Sequence, residues 1–139
     1  MKNLTTALYT HFTRTTGSPT PVHNAFYNQI SGRLYKEVAP QNSLLPYAVY
    51  HLISNVPDWN FTNYFENARI QFDLVSKNTS SVEVEDMFTN LKSLYDWCAL
   101  TVTGNTFLYM RRDLARLTFD IDFSTWVYNV DYLILMERT

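Results

Sequence analysis

The run Gly32-Arg33-Leu34-Tyr35-Lys36-Glu37-Val38-Ala39-Pro40-Gln41-Asn42-Ser43-Leu44-Leu45-Pro46-Tyr47-Ala48-Val49-Tyr50 sets how the rest of the chain is laid out. Gly32 ends a preceding helix, because a residue without a Cβ enters the left-handed conformation at no steric cost. Leu34 and Tyr35 open a short strand, and Pro40 and Pro46 bracket a polar loop. From Tyr47 the alternation of Tyr47, Val49, His51 and Ile53 with Ala48, Tyr50 and Leu52 predicts a strand covered in part on both faces, with Asn55-Val56-Pro57-Asp58 as its turn. Gly32–Tyr50 carries no reactive constellation, which tilts the reading toward architecture and away from catalysis.

Upstream, Leu4, Ala7, Leu8, His11 and Phe12 recur at spacings of three and four over residues 2–14, which predicts an amphipathic helix. Residues 15–21 form a loop by composition. Thr20 before Pro21 has the pattern of a helix start, so a second helix is expected from there to about Ser31, with Val22, Ala25, Phe26 and Ile30 on its packed side.

Downstream, Trp59 to Glu66 is aromatic but irregular. Ala68, Ile70, Phe72 and Leu74 then alternate with Arg69, Gln71 and Asp73 in a half-buried strand. Ser80 and Glu83 carry a capping-box pattern, and Val84, Met87, Phe88, Leu91, Leu94, Tyr95 and Cys98 keep the helical period behind it. A strand is expected from about Thr106 to Arg112. Residues 113–124 mix helical and alternating spacings and are read as a loop or hairpin extension, before a long strand from Trp126 to Met136. The predicted architecture is α+β: a single mixed, mainly antiparallel β-sheet with a long helix and N-terminal helices packed on it.

The chain has 139 residues, enough for one domain with a substantial core; residues 1–20 form an N-terminal helix and loop that reads as an extension of it. Aromatic residues make up 16%, while glycine and proline are few. Tyrosine and tryptophan suit protein interfaces as well as β-rich cores, and composition leaves both uses open. A net charge of −2 lacks the basic excess of a dominant nucleic-acid footprint. One cysteine precludes an intramolecular disulfide, no run reaches the length of a membrane span, and residues 1–12 lack the apolar core of a signal peptide.

The segments Gly32-Arg33-Leu34-Tyr35, Ala39-Pro40-Gln41 and Leu45-Pro46-Tyr47-Ala48-Val49-Tyr50 resemble the signature of the tail-completion, or tail-terminator, proteins of long-tailed bacteriophages. The order of elements from about Ala25 to Met136 is similar as well. Two N-terminal helices where the family has one, and a longer apolar 113–124 region, depart from the pattern. The resemblance implies a structural virion protein, not an enzyme, with no cofactor. It implies a ring, usually hexameric, at the head-proximal end of the tail, assembled in the cytoplasm of the bacterial host. The implied partners are further copies of the chain, the tail-tube protein and a head-completion or connector protein, with DNA passing through the lumen without specific binding and no membrane. The alternatives are another phage neck protein, such as a head-completion or adaptor protein, or a small α+β nucleic-acid or protein-binding module.

No catalytic constellation competes with this reading. His11, His23 and His51 are scattered, with no paired ligand spacing. Cys98, on the apolar side of the predicted helix, reads as an inert buried thiol. Asp120 and Asp122 fit a turn better than a cation site. Expected subunit contacts are Lys36, Glu37, Gln41 and Leu44 in the loop, and Trp59, Phe61, Tyr64 and Phe65 in the aromatic segment. Arg111, Arg112 and Arg116 form the only basic cluster, fit for salt bridges or phosphate contacts.

Overall fold

The structure is a computed structural model that describes residues 2–59, 62–77 and 79–138. In order its elements are α1 (Lys2–Thr13), β1 (Thr15–Thr16), β2 (Val22–His23), α2 (Ala25–Ile30), β3 (Leu34–Lys36), β4 (Tyr47–Trp59), β5 (Tyr64–Ser76), α3 (Val82–Tyr95), β6 (Asn105–Asp120) and β7 (Thr125–Arg138). β1 and β2 form a small two-stranded sheet; the main sheet has strand order β3-β4-β5-β7-β6, antiparallel except for the β3–β4 pair. This is the expected α+β arrangement, with the small hairpin added.

Gly32 ends α2 as expected. Ser31 and Gly32 both take positive φ, and the Gly32 N–H donates to the Tyr27 carbonyl at 3.0 Å. A Cβ on Gly32 would meet the Tyr27 ring at 3.0 Å, so close approach as well as backbone freedom requires glycine. The chain then enters β3, crosses through residues 37–46 and returns beside it as β4, with Leu34 opposite Ala48. Arg33 ties the two ends of this crossover, its Nε donating to the Pro46 carbonyl at 3.0 Å.

α2 starts later than Thr20 and Pro21 indicate. Val22 is exposed and pairs with Thr16 in the small hairpin. Asn24 caps the helix instead, its Oδ1 accepting from the Tyr27 N–H at 2.8 Å while its Nδ2 donates to the Phe12 carbonyl at 2.8 Å. One side chain therefore starts α2 and fastens it to the end of α1.

β4 runs straight through Asn55–Asp58, where a turn was expected. Its pairing with β5 continues from Tyr47 opposite Val75 to Trp59 opposite Tyr64, with a bulge between Leu52 and Ser54. β3 pairs only with residues 48–50 of β4. Pro57 therefore sits on a free sheet edge, where a missing N–H removes no ladder bond. β6 likewise extends to Asp120, which settles residues 113–120 as strand. Its two bulges, between Phe107 and Tyr109 and between Arg112 and Leu114, shift the side-chain phase and explain the mixed spacings.

The helices cover one face of the sheet. Val84, Met87, Phe88, Leu91 and Tyr95 of α3 and Leu4, Ala7, Leu8 and Phe12 of α1 pack on Tyr50, Ile70, Phe72, Leu74, Val130, Tyr132 and Ile134. Phe72 lies at the centre, its ring 4.8 Å from Tyr95 and 5.8 Å from Tyr132. The Tyr95 hydroxyl donates to the Leu8 carbonyl at 2.8 Å and His11 Nε2 donates to the Leu94 carbonyl at 2.9 Å, joining α1 to α3. The Ser80–Glu83 capping box does not form, because Glu83 accepts from the Ser76 hydroxyl and ties the helix start to β5. α3 ends at Tyr95, so Cys98 lies beyond it. There Asp96 accepts a hydrogen bond from the Tyr132 hydroxyl and pairs with Arg112 at 3.4 Å, and Trp97 turns the chain with φ 55°.

Candidate functional site

Among the described residues no helix covers the other face of the main sheet. In β5 the phase that is not buried places Arg69, Gln71 and Asp73 there, beside Asn129 and Asp131 of β7. These side chains form a polar row across the sheet. Asp73 Oδ1 accepts from Gln71 Nε2 at 2.7 Å and from Asn129 Nδ2 at 2.5 Å, and His51 Nδ1 lies 3.9 Å from Asp73 Oδ2. Arg69 reaches Asp113 at 2.8 Å and Asp131 at 3.2 Å, and these carboxylates hold its guanidinium above its ordinary pKa. The row joins β4, β5, β7 and β6 by side chains and leaves its members half-buried.

The two ends of the sheet differ from this row. At one end the β4–β5 hairpin presents Trp59, 70% exposed, with its ring 4.2 Å from Tyr64. Val56 and Asp58 are exposed on the same arm, Phe65 is half-buried behind it, and Arg138 lies over the Tyr64 ring at 5.7 Å. Phe61 lies outside the described residues. At the other end the loop after β3 faces the β6–β7 turn. Lys36 is the exposed last residue of β3, opposite Tyr50, and not part of the loop; Glu37, Gln41 and Leu44 are exposed in the loop, where Glu37 and Asn42 hold positive φ. Phe123, 72% exposed, and Ile121, 81% exposed, project from the turn. Between loop and turn runs a groove of about 520 Å³ whose apolar wall includes Pro40, Leu45, Tyr47, Val75, Phe123 and Val127.

The expected contact residues thus fall into two groups at opposite ends of β4. The strand spans 13 residues, so the groups stand roughly 40 Å apart at the usual rise per residue. The sequence reading did not single out the 121–124 turn. Its signal was present as Ile121 and Phe123 beside two aspartates in a turn, but only strand register shows that the turn meets the 39–45 loop.

The basic cluster is divided. Arg111 approaches Asp113 at 3.8 Å, Arg112 pairs with Asp96, and Arg116 is exposed. Asp120 Oδ1 accepts from the backbone N–H groups of Asp122 and Phe123, at 3.0 and 3.4 Å, which makes it the organiser of the turn. Among the described residues no group of three or more His, Cys, Asp or Glu is placed to hold a metal. The histidines serve separate local roles: His11 on Leu94, His23 stacked on Tyr27 at 3.6 Å, and His51 in the polar row. Cys98 lies 3.7 Å from the Met110 sulfur, and burial pushes its thiol up to about 11, away from the reactive thiolate. Such a surface is fit to bind by shape, with an exposed aromatic arm at one end of the strands and an apolar groove at the other.

No family model and no curated protein matches this chain. Its fold is similar to a chain in the solved virion of a native gene transfer agent particle, with a TM-score of 0.75 over 96% of this chain and 94% of that one. The two sequences are 7% identical, so the likeness is one of fold.

Proposed function

We propose that this chain is a structural protein of a phage-like virion and acts as its tail terminator, forming a hexameric ring that caps the head-proximal end of the tail tube and provides the head-joining surface. The observation that carries this reading is the near full-length likeness of fold to a chain of a gene transfer agent virion. The Gly32–Tyr50 segment adds to it, because the residues that resemble the tail-terminator signature fold into the β3–loop–β4 unit that builds one edge of the sheet. The exposed ends of the sheet offer two different surfaces, as a ring of head-to-tail contacts requires. With a net charge of −2, the chain is suited to letting DNA pass without strong phosphate binding.

Electron microscopy of particles made without this protein tests the role. Overlong or headless tails are the expected result. Normal joined particles exclude it, and filled heads lacking tails point to a head-completion or adaptor role instead. Salt-sensitive DNA binding by a protein that never self-associates would favour a nucleic-acid module.

A further inference from the structure

We propose that the N-terminal helical layer of one copy of this chain covers the open sheet face of the next. The proposal rests on the self-assembly in the ring reading above and names the two surfaces that would make the contact.

The charges of the chain are segregated by position. Residues 1–36 contain Lys2, Arg14, Arg33 and Lys36 and no carboxylate, while the rest of the chain holds all 13 carboxylates against seven lysines and arginines. The fold gathers the first stretch into one layer. α1 turns its buried side to the sheet, so Lys2, Thr6, Tyr9, Thr10 and Arg14 line its outer side, all of them exposed. Lys36 stands beside this ridge, sharing a small cavity with Thr6, Tyr9 and Thr10. Arg14 lines a second cavity on the other flank, with Thr6, Thr10 and His11. No carboxylate lines either one. Glu37, the first acid of the sequence, belongs to the loop that follows.

The open sheet face has the opposite sign. Strand alternation, read through the register, places Asp58, Asp73, Asp113, Asp120, Asp131 and Glu137 there against Arg69, Arg111 and Arg116, which leaves the face negative. Asp58 and Glu137 stand level with Phe65 on either side of β5. They are therefore about 10 Å apart, twice the usual interstrand distance. Among the described residues neither of them forms a salt bridge within its own chain, and nor do Lys2, Arg14 and Lys36. Two uncovered surfaces of opposite charge on one chain make a heterologous contact, which repeats from copy to copy and closes into a ring when its rotation allows. A second copy fits better than a nucleic acid, because the chain itself supplies the complementary face. At its arm end that face also mixes its acids with Val56, Tyr109 and Leu135, apolar side chains that Tyr9 and the threonine methyl groups can cover.

The test uses two full-length variants, folding checked by circular dichroism and self-association followed by sedimentation over a concentration series. One reverses the layer, Arg14→Glu with Lys36→Glu; the other reverses the face, Asp58→Lys with Glu137→Lys. Each alone should weaken association about thirtyfold, because layer and face then carry the same sign. An equimolar mixture should recover to within about threefold of the unaltered chain, because each variant's layer then meets a face of opposite sign on the other. If the double face variant does not fold, Asp58→Lys alone takes its place, with a loss of about fivefold and the same recovery. Association that ignores either reversal, or a mixture that fails to recover, overturns this contact, as does an unaltered chain that stays monomeric at every concentration. A layer variant that self-associates normally but loses salt-sensitive binding of duplex DNA assigns these cations to phosphates and overturns it too. The ring reading fails separately: particles lacking the protein still show overlong or headless tails if only the contact is wrong, and are normally joined if the ring itself is.

Discussion

The two faces of the main sheet use side chains in opposite ways. On the covered face Phe72, Tyr95 and Tyr132 interlock with their rings between 4.8 and 6.3 Å apart, and the tyrosine hydroxyls are spent on Leu8 and Asp96. On the open face the same strands carry His51, Arg69, Asp73, Asn129 and Asp131, which bind one another within reach of water. The first arrangement excludes water and sets stability, while the second aligns neighbouring strands without a dry core. Strand alternation alone lets one sheet do both, and it leaves the ends of the strands as the places where apolar side chains stay uncovered.

The largest expected effect comes from Phe72→Ala, which empties the centre of the covered face and should cost about 3–5 kcal/mol in urea unfolding. A loss below about 1 kcal/mol would mean that the ring cluster is not the centre of the core. Tyr95→Phe keeps the ring and removes one hydrogen bond from the Leu8 carbonyl, which still accepts within α1, for an expected cost of about 0.5–1.5 kcal/mol; an unchanged midpoint would remove the α1–α3 bond from the list of contributors.

The faces should also part with pH. Burial raises the phenols of Tyr50, Tyr95 and Tyr132, whose ordinary value is 10.0, and lifts the Cys98 thiol from 9.0 to about 11. In each case the unfolded chain releases its proton first. The stability they contribute is whole below about pH 9 and is lost as the pH rises through the folded-state values. Thermal unfolding should therefore shift to lower temperature above pH 9, and Cys98→Ala should flatten the part of the decline between pH 9 and 11. A midpoint that is constant up to pH 11 would contradict the burial of these groups. The smallest effect is expected from Arg69→Met on the open face, at about 0–1 kcal/mol for a half-exposed ion pair network. A loss as large as that of Phe72→Ala would erase the distinction between the faces.

Much of this layout was legible in the residues. Ala68 to Leu74 alternate without interruption because β5 is central, flanked by β4 and β7, with one covered face, and the α3 period held for the same reason. The failures occurred where tertiary position overruled local chemistry. Asn55 and Pro57 carry turn residues, yet the free edge of β4 absorbs them into a strand. Pro21 has the pattern of a helix start, yet Asn24 fixes both the cap and the docking of α2. The bulges of β6 disguised a long strand as a mixed pattern. At the candidate site, Trp59 and the 36–44 loop stood out by composition. The meeting of that loop with Phe123 depends on register between distant strands, which no local pattern records.

The margins of the main sheet have a consequence for the cell that makes the protein. β6 is bent by two bulges and bears Arg111, Arg112, Asp113 and Arg116, while the free stretch of β4 carries a bulge and Pro57. Both margins are poor templates for another strand. A second copy therefore meets no flat, open strand there on which to zip sideways into an amyloid-like stack.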